Sequence, residues 1–160
     1  MGDPTNPSAS LAALEAVFGP ASDAGFGSAT FSVAGGADLA AIALATYRWF
    51  VGAKWAGFGE AAWMGAWRRV YARPAGGPRD VVAELSALPD REAKSSAGVM
   101  MDGLEEPARG KAALAAAFDA ADVTRFEVYN LGDGAAMSGV LLVAARGASD
   151  PVTIVAFLLD

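Results

Sequence analysis

The side chains that could carry chemistry in this chain are carboxylates, Tyr, Lys and Arg, because the sequence contains no His and no Cys. Disulfides, Cys/His zinc sites, Cys or His nucleophiles and imidazole acid–base relays are therefore excluded. Among the remaining polar residues, Arg125, Glu127 and Tyr129 alternate along a predicted strand and share one face. Inside a cavity, Glu127 would do acid–base work with a pKa raised by burial. On an open sheet the trio is an ordinary polar face, the interpretation we favour.

Aromatic and basic residues are concentrated between Tyr47 and Arg73. Trp, Tyr and Arg are enriched at protein-binding hot spots, and aromatic rings interleaved with cations also stack on nucleic-acid bases. Core packing with an Arg edge is the plainest interpretation, followed by a protein interface, a small-molecule pocket and, last, nucleic acid. The candidate partner or ligand surface comprises Trp49, Trp55, Trp63, Trp67, Arg68 and Tyr71, and the alternative pocket comprises Tyr47, Arg48, Glu127 and Tyr129.

Three further motifs have structural explanations. Asp102-Gly103-Leu104-Glu105 has the spacing of a helix capping box, which accounts for its carboxylates without an acid site. Gly132-Asp133-Gly134 precedes a predicted strand rather than a helix, so we interpret it as a hairpin turn and not as a phosphate loop. Asp119 and Asp122 have no neighbours in sequence that would complete a coordination shell. The sequence therefore predicts no catalytic residue, no metal site and no cofactor.

The elements that would position these residues include several helices, predicted from apolar spacing and from start and stop signals. Gly110, inside one of them, costs about 1 kcal/mol relative to Ala. The segment 89–101 is left open between helix and loop. The predicted helices cover residues 10–18, 38–54, 60–72 (with Trp63, Trp67, Val70 and Tyr71 on one side), 81–88 (capped by Asp80), and the stretch from the capping box to about Ala121.

The predicted strands follow a different pattern. Residues 27–33 alternate between apolar and polar, which is typical of a half-buried strand, and residues 123–131, 136–146 and 152–159 predict an antiparallel meander. The last two of these strands are apolar on both faces, and two apolar faces need two coverings. Helices on both sides are the plainest covering. The alternatives are helices on one side with a second copy of the chain on the other, or a sheet curled around a pocket.

The predicted fold is α+β: N-terminal helices with one strand, then a C-terminal three-stranded antiparallel meander packed on the helices. In element order alone, it resembles the cystatin-like cone of the nuclear-transport-factor-2 superfamily. The length of 160 residues predicts a single domain over residues 9–160, after a disordered lead over residues 1–8. The most apolar window, 33–51, is interrupted by Asp38 and Arg48, so we expect a buried helix there and no membrane span.

Composition narrows the expected partners. A net charge of −6 and a pI of about 4.6 oppose binding to nucleic acid or anionic lipid and suit a basic partner. The lack of Cys fits a cytoplasmic location. We predict a non-catalytic cytoplasmic protein-interaction module, an acidic partner-binding, inhibitory or chaperone-like protein that self-associates through its sheet as a homodimer. The alternative is a small-molecule-binding protein or cofactor-free enzyme with a pocket between helices and sheet.

Overall fold

The computed structural model describes residues 7–147 and 150–159, which form a five-stranded antiparallel sheet with helices on both faces. The helices are α1 Pro7–Phe18, α2 Leu39–Ala56, α3 Ala61–Met64, α4 Val81–Ser86, α5 Arg91–Asp102 and α6 Pro107–Phe118. The strands are β1 Gly27–Val33, β2 Arg68–Ala72, β3 Arg125–Gly132, β4 Ser138–Ala145 and β5 Val152–Leu159. Their order is β1-β5-β4-β3-β2, so β1 and β2 are the edge strands. The predicted α+β class and the C-terminal meander are confirmed.

Several predicted elements begin where their capping signals indicate. The carboxylate of Asp38 accepts a hydrogen bond from the Ala41 amide at 3.0 Å and so caps α2. Asp80 caps α4 in the same way, accepting from the Ala83 amide at 3.1 Å. The predicted disordered lead lies outside the described residues except for its last two positions, where α1 begins.

The predicted helix over residues 60–72 is wrong. Only α3, Ala61–Met64, is helical there, and the chain then turns into β2, Arg68–Ala72. The apolar residues at helical spacing are instead divided between a short helix and a strand. Val70 and Tyr71 favour strands, and β2 gains a hydrogen-bonding partner in β3, with Arg69 opposite Tyr129. A local pattern cannot show a partner 60 residues away, which is why the strand was missed.

The predicted capping box is also wrong. Asp102 ends α5 instead of starting a helix, and α6 begins at Pro107 and ends at Phe118. Glu106 occupies the N-cap of α6 without a side-chain hydrogen bond, while the proline supplies a first residue that needs no amide partner. The open segment 89–101 is mostly helix. Asp90 caps it by accepting from the Ala93 amide at 3.0 Å.

The chain's own helices cover both apolar faces of the sheet. On one face α2 and α3 pack against side chains such as Leu141 and Ile154, which are fully buried. On the other face α1, α4, α5 and α6 pack against side chains such as Leu142 and Val155, also fully buried. The plainest of the coverings considered from sequence is therefore the one observed. The apolar strands need no second copy to keep them from water.

Glycines permit close approaches in the fold, and Gly110 and Gly52 are two of them. A Cβ at Gly110 would lie 2.1 Å from Leu104 Cδ1 and 3.4 Å from Val17 Cγ1, so its absence lets α1 and Leu104 pack closely on α6. Gly52 has a φ of 65° and kinks α2. A Cβ at Gly52 would lie 2.2 Å from the carbonyl oxygen of Asp23, so this glycine brings the segment before β1 against α2.

Candidate functional site

The six residues predicted as one partner surface lie in different parts of the fold. Trp49 and Trp55 belong to α2, and the ring of Trp49 contacts Phe31 on β1. Trp63 and Trp67 pack in the core between α2, α3 and the sheet, whereas Arg68 and Tyr71 lie on β2. At about 4.8 Å between neighbouring strands, the two sheet edges are about 19 Å apart. The structure therefore does not bring the six residues together.

Trp49 lines an apolar groove between α2 and the C-terminal half of β1. Its side chain is 54% exposed, and its ring meets the ring of Phe31 edge-on, with centroids 5.7 Å apart. The groove has a volume of about 530 Å³, within the range of about 300–1,000 Å³ typical of binding pockets. We call it the Trp49 groove. It is lined by Ala21, Phe31, Ser32, Val33, Ala34, Ile42, Ala45, Thr46 and Trp49, of which none is charged.

The groove exists because α2 is apolar on two adjoining faces. The side chains of Leu39, Ala43 and Phe50 point into the core and are fully buried or nearly so. Ile42, Ala45 and Trp49 follow one another at spacings of three and four, which places them on a neighbouring face of the helix. This second face lies beside the edge strand, beyond the end of the sheet, so no strand covers it.

The backbone of β1 is covered at one point of its outer edge by Gly19. The Thr30 amide donates to the Gly19 carbonyl at 3.0 Å. In an antiparallel pair, the amide and carbonyl groups of alternate residues point to the same side of the strand. Those of Ser32 therefore also point away from β5, and no described residue forms a hydrogen bond with them. The edge is open at Ser32, and this residue borders the Trp49 groove.

Two carboxylates lie near the ends of the groove along α2. Asp38 lies one helical turn before Ile42, and Asp23 lies against Gly52, three residues beyond Trp49. Both are exposed, and neither forms an ion pair with a described side chain. Arg125 donates to the Ala37 carbonyl at 3.1 Å, but its guanidinium is also paired with Glu127. Among the described side chains, the two carboxylates near the ends of the groove therefore have no cation paired with them.

Further exposed aromatic side chains lie near the C-terminal end of α2. The ring of Phe58 is 69% exposed and leans on Trp55, whose indole nitrogen donates to the Gly25 carbonyl at 2.8 Å. Phe26, just before β1, is also more than half exposed. None of these residues lines the groove. Phe58 is therefore a suitable control for the role of Trp49.

Glu127 and Tyr129 come together in a buried polar cluster. The hydroxyl of Tyr129 donates to Glu127 Oε1 at 2.8 Å, and Arg69 and Arg125 approach Oε2 at 3.4 and 3.2 Å. Burial raises the pKa of Tyr129, and its hydrogen bond to the Glu127 carboxylate raises that pKa further. Sequence reasoning did not include Arg69, because it was assigned to a helix. Glu127 and Tyr129 are buried, so the open polar face favoured from the sequence is wrong for them. The protein's own donors already bind the Glu127 carboxylate, which is typical of a structural cluster.

Tyr47 adjoins this cluster through Trp67, and Arg48 does not. The Trp67 ring stacks between Tyr47 and Tyr129, with centroid distances of 5.4 and 4.8 Å. The Tyr47 hydroxyl donates to the Trp63 carbonyl and accepts from the Gly132 amide, and burial raises its pKa to about 12. Arg48 instead pairs with Glu60 at 2.8 Å near the surface. A ligand pocket formed by these residues stays a prediction.

A second polar network, centred on Arg73, fixes the end of β2. Arg73 is 7% exposed and contacts Glu84 at 2.6 Å and Asp119 at 3.0 Å. The Tyr71 hydroxyl donates to the same Glu84 carboxylate at 2.6 Å. Burial alone would raise the pKa of Glu84, but the hydrogen bonds from Arg73 and Tyr71 outweigh burial and lower it. The network joins β2 to α4 and to the end of α6.

Comparison with protein-family models, with curated proteins and with solved structures finds no match to this chain. Within residues 7–147 and 150–159, no helix is both long enough and apolar enough to cross a membrane. In the same part of the chain, no three carboxylates converge as a metal site would require. The Trp49 groove is an open apolar surface without a charged lining residue, which is uncommon on a protein surface.

Proposed function

We propose that this protein is a non-catalytic, cytoplasmic protein-interaction module that binds a partner protein through the Trp49 groove. The observation that carries the proposal is the half-exposed indole of Trp49 above an uncharged groove of about 530 Å³. Burying a large apolar side chain fully stabilises a structure by about 1.5–3 kcal/mol. Trp at the centre of such a pocket is the residue type most often found at hot spots of protein interfaces.

The chemistry of the groove favours binding over catalysis. Its lining contains no carboxylate, amine, guanidinium or phenol, so it offers no general acid or base. The described carboxylates with lowered pKa values, such as Glu84 and Asp90, accept hydrogen bonds from arginines and from backbone amides elsewhere in the fold. What the groove offers is apolar surface next to one open backbone position. These are features of a surface that recognises another chain.

The net charge supports a basic protein as the partner, and the composition supports a cytoplasmic location. The net charge of −6 favours association with basic proteins and disfavours nucleic acid. The lack of Cys suits a reducing compartment. An acidic module with an exposed apolar groove agrees with the partner-binding, inhibitory or chaperone-like roles inferred from the sequence.

The test is a selection of binding peptides from a random display library, followed by calorimetry on purified variants. We expect the selected peptides to bind the wild type and Phe58→Ala equally, and Trp49→Ala about tenfold more weakly or worse, since a hot-spot truncation costs about 2 kcal/mol. Phe58 is the matched control because it is an exposed aromatic outside the groove. Selection of no peptide, or equal binding to Trp49→Ala, would contradict the proposal.

A further inference from the structure

We propose that the partner presents an extended, cationic segment that lies beside Ser32 as a short added strand. Its apolar side chains would fill the Trp49 groove, and its basic side chains would lie near Asp38 and Asp23. This inference rests on the proposed function and adds the conformation and the chemistry of the partner.

The open backbone at Ser32 determines the conformation. The Ser32 amide and carbonyl point outward at the edge, whereas the Thr30 amide is already bonded to Gly19. A helix has no free main-chain groups along its length, because they are bonded to one another. An extended segment can donate one hydrogen bond and accept another at Ser32, which is how peptides add to sheet edges.

The covered part of the edge limits the length of the added strand. The segment at Gly19 lies against β1 at Thr30, and Pro20, the next residue, has no amide hydrogen to extend the pairing. A second copy could not pair its β1 along the whole of this edge without displacing that segment. A short segment that pairs at Ser32 alone and otherwise lies over the Trp49 groove, between Asp38 and Asp23, meets no such obstacle. This favours a partner segment over a dimer with one continuous sheet.

The groove lies on the side of β1 that would receive alternate side chains of the added strand. Phe31 and Val33 pack on the α2 side of the sheet and also line the groove. Successive side chains of a strand point to opposite faces, so every second residue of the segment would lie on this side. These positions call for apolar residues, because no lining residue is charged.

The positions of Asp38 and Asp23 determine where the basic residues of the partner segment would lie. α2 runs back along β1, since Val33 is close in sequence to the start of α2 and the Gly25 amide bonds to the Phe50 carbonyl at 2.9 Å. The span from Asp38 to Gly52, where Asp23 lies, is about 21 Å at 1.5 Å per helical residue. An extended segment covers this distance in about six residues. Lys or Arg at each end of such a segment would lie near a carboxylate.

The probe is the capped peptide Lys-Lys-Thr-Leu-Thr-Leu-Thr-Lys-Lys, compared with the same peptide carrying Glu in place of every Lys. We expect the Lys peptide to bind the wild type and to slow hydrogen exchange at the Ser32 amide, measured by NMR. We expect the Glu peptide to bind at least tenfold more weakly. Raising the salt concentration from about 50 mM to about 500 mM should weaken the Lys peptide several-fold, because exposed charges are screened.

Two pairs of protein variants separate the contribution of the Ser32 amide from that of the two carboxylates. Ser32→Pro removes the outward amide and should weaken the Lys peptide at least fivefold, whereas Ser32→Ala keeps the amide and should not. Proline is tolerated on an edge strand where the amide faces outward, and thermal unfolding would verify the fold.

The second pair of variants tests the carboxylates. Asp23→Asn with Asp38→Asn should weaken binding of the Lys peptide about tenfold, and Asn preserves the α2 cap. Glu15→Gln with Glu105→Gln makes the same charge change at exposed positions on α1 and just before α6.

The outcomes distinguish this inference from the proposed function. If library-selected peptides require Trp49 but leave the Ser32 amide unprotected, or bind with high helicity, the proposed function stands and this inference is wrong. The inference is also overturned if the Lys peptide does not bind, or if the Glu peptide binds as tightly. A wild-type dimer at micromolar concentration that Trp49→Ala dissociates would instead show a second copy in the groove. If no peptide depends on Trp49, both proposals fail.

Discussion

The two edge strands of the sheet are protected from association in different ways. β2 carries Arg68 and Arg69, and Arg68 is held by Asp90 at 2.8 Å and by Glu92 at 3.4 Å. β1 has no charged residue, and its protection is the segment at Gly19, which accepts a hydrogen bond from the Thr30 amide. Charged side chains discourage pairing along the whole of an edge, whereas a covering protects only the part it reaches. The fold therefore has one edge closed by charge and one edge left open at Ser32.

The comparison extends to what anchors each edge. The end of β2 is fixed by the buried Arg73 network, in which every charge has a partner. The β1 side is fixed by close backbone contacts, such as Asp23 against Gly52 and Gly25 against Trp55. A strongly anchored edge suits a structural role, and an edge held by loops can admit a partner. Substitutions can remove the contacts that anchor each edge, or can give β1 the charge that β2 carries.

Arg73→Ala should have the largest effect on stability. It leaves Glu84 and Asp119 in place without their cation, and breaking a buried ion pair destabilises a protein by about 3–5 kcal/mol. The free energy of unfolding in urea measures this loss. Arg48→Ala removes an ion pair that is about half exposed and should cost about 0–1 kcal/mol. Equal losses in the two variants would show that the Arg73 network does not anchor β2.

Gly52→Ala should have the next largest effect, and it tests the anchor of β1. Its positive φ strains any other residue, and the added Cβ would lie 2.2 Å from the Asp23 carbonyl oxygen. We expect a loss of about 1–3 kcal/mol in urea unfolding. Gly57 has a φ of −67° and nothing within 4 Å of an added Cβ, so Gly57→Ala should be neutral or stabilising by up to about 1 kcal/mol. A tolerated Gly52→Ala would mean that the segment before β1 adapts freely.

Lowering the pH should destabilise the Arg73 network, because it protonates Glu84. Hydrogen bonds from Arg73 and Tyr71 outweigh burial and hold the folded pKa of Glu84 below its unfolded value of about 4.3. The folded state therefore binds protons less readily, and its stability is present above pH of about 4.3 and is lost as pH falls through the folded pKa. Asp119, whose pKa is raised by burial, opposes part of this loss.

The melting temperature measured from neutral pH down to about pH 3 tests this prediction. The fall in melting temperature should be smaller for Glu84→Gln than for the wild type. Glu60→Gln, which alters a carboxylate more than half exposed, should follow the wild-type profile. Parallel profiles for the wild type and Glu84→Gln would assign the acid sensitivity to other groups.

The C-terminal meander was predicted well from the sequence, because its strands and turns are defined by short, local patterns. Turn residues separate β3, β4 and β5, apolar runs mark β4 and β5, and each strand pairs with its neighbour in the chain. β2 was missed because Trp63, Trp67 and Tyr71 also fit a helical spacing, and the strand is stabilised by β3, far along the chain. The same error hid Arg69, which approaches Glu127. Strand pairing at long range is what a single sequence does not express.

The candidate site was predicted in part. Trp49 belonged to the predicted surface, but Phe31 and Val33, which form the opposite wall of the groove, did not. One available signal was the apolar character of α2 on most of its sides, which implies more than one covering. The sheet can bury one of these faces. Which other face stays open depends on where the edge of the sheet falls, and the pairing of β1 with β5 decides that.

Ser32→Lys should change the stability least of these substitutions. It gives the edge strand β1 an exposed cation of the kind that β2 carries in Arg68, and a surface substitution of this kind changes the free energy of unfolding by about 0.5 kcal/mol or less. The added charge repels the Lys-flanked peptide, so its affinity should fall several-fold. Ser95→Lys makes the same charge change at an exposed position on α5 and should leave the affinity unchanged. Equal affinities for Ser32→Lys and Ser95→Lys would show that the open position on β1 is not where the peptide binds, and that the contrast between the edges has no bearing on recognition.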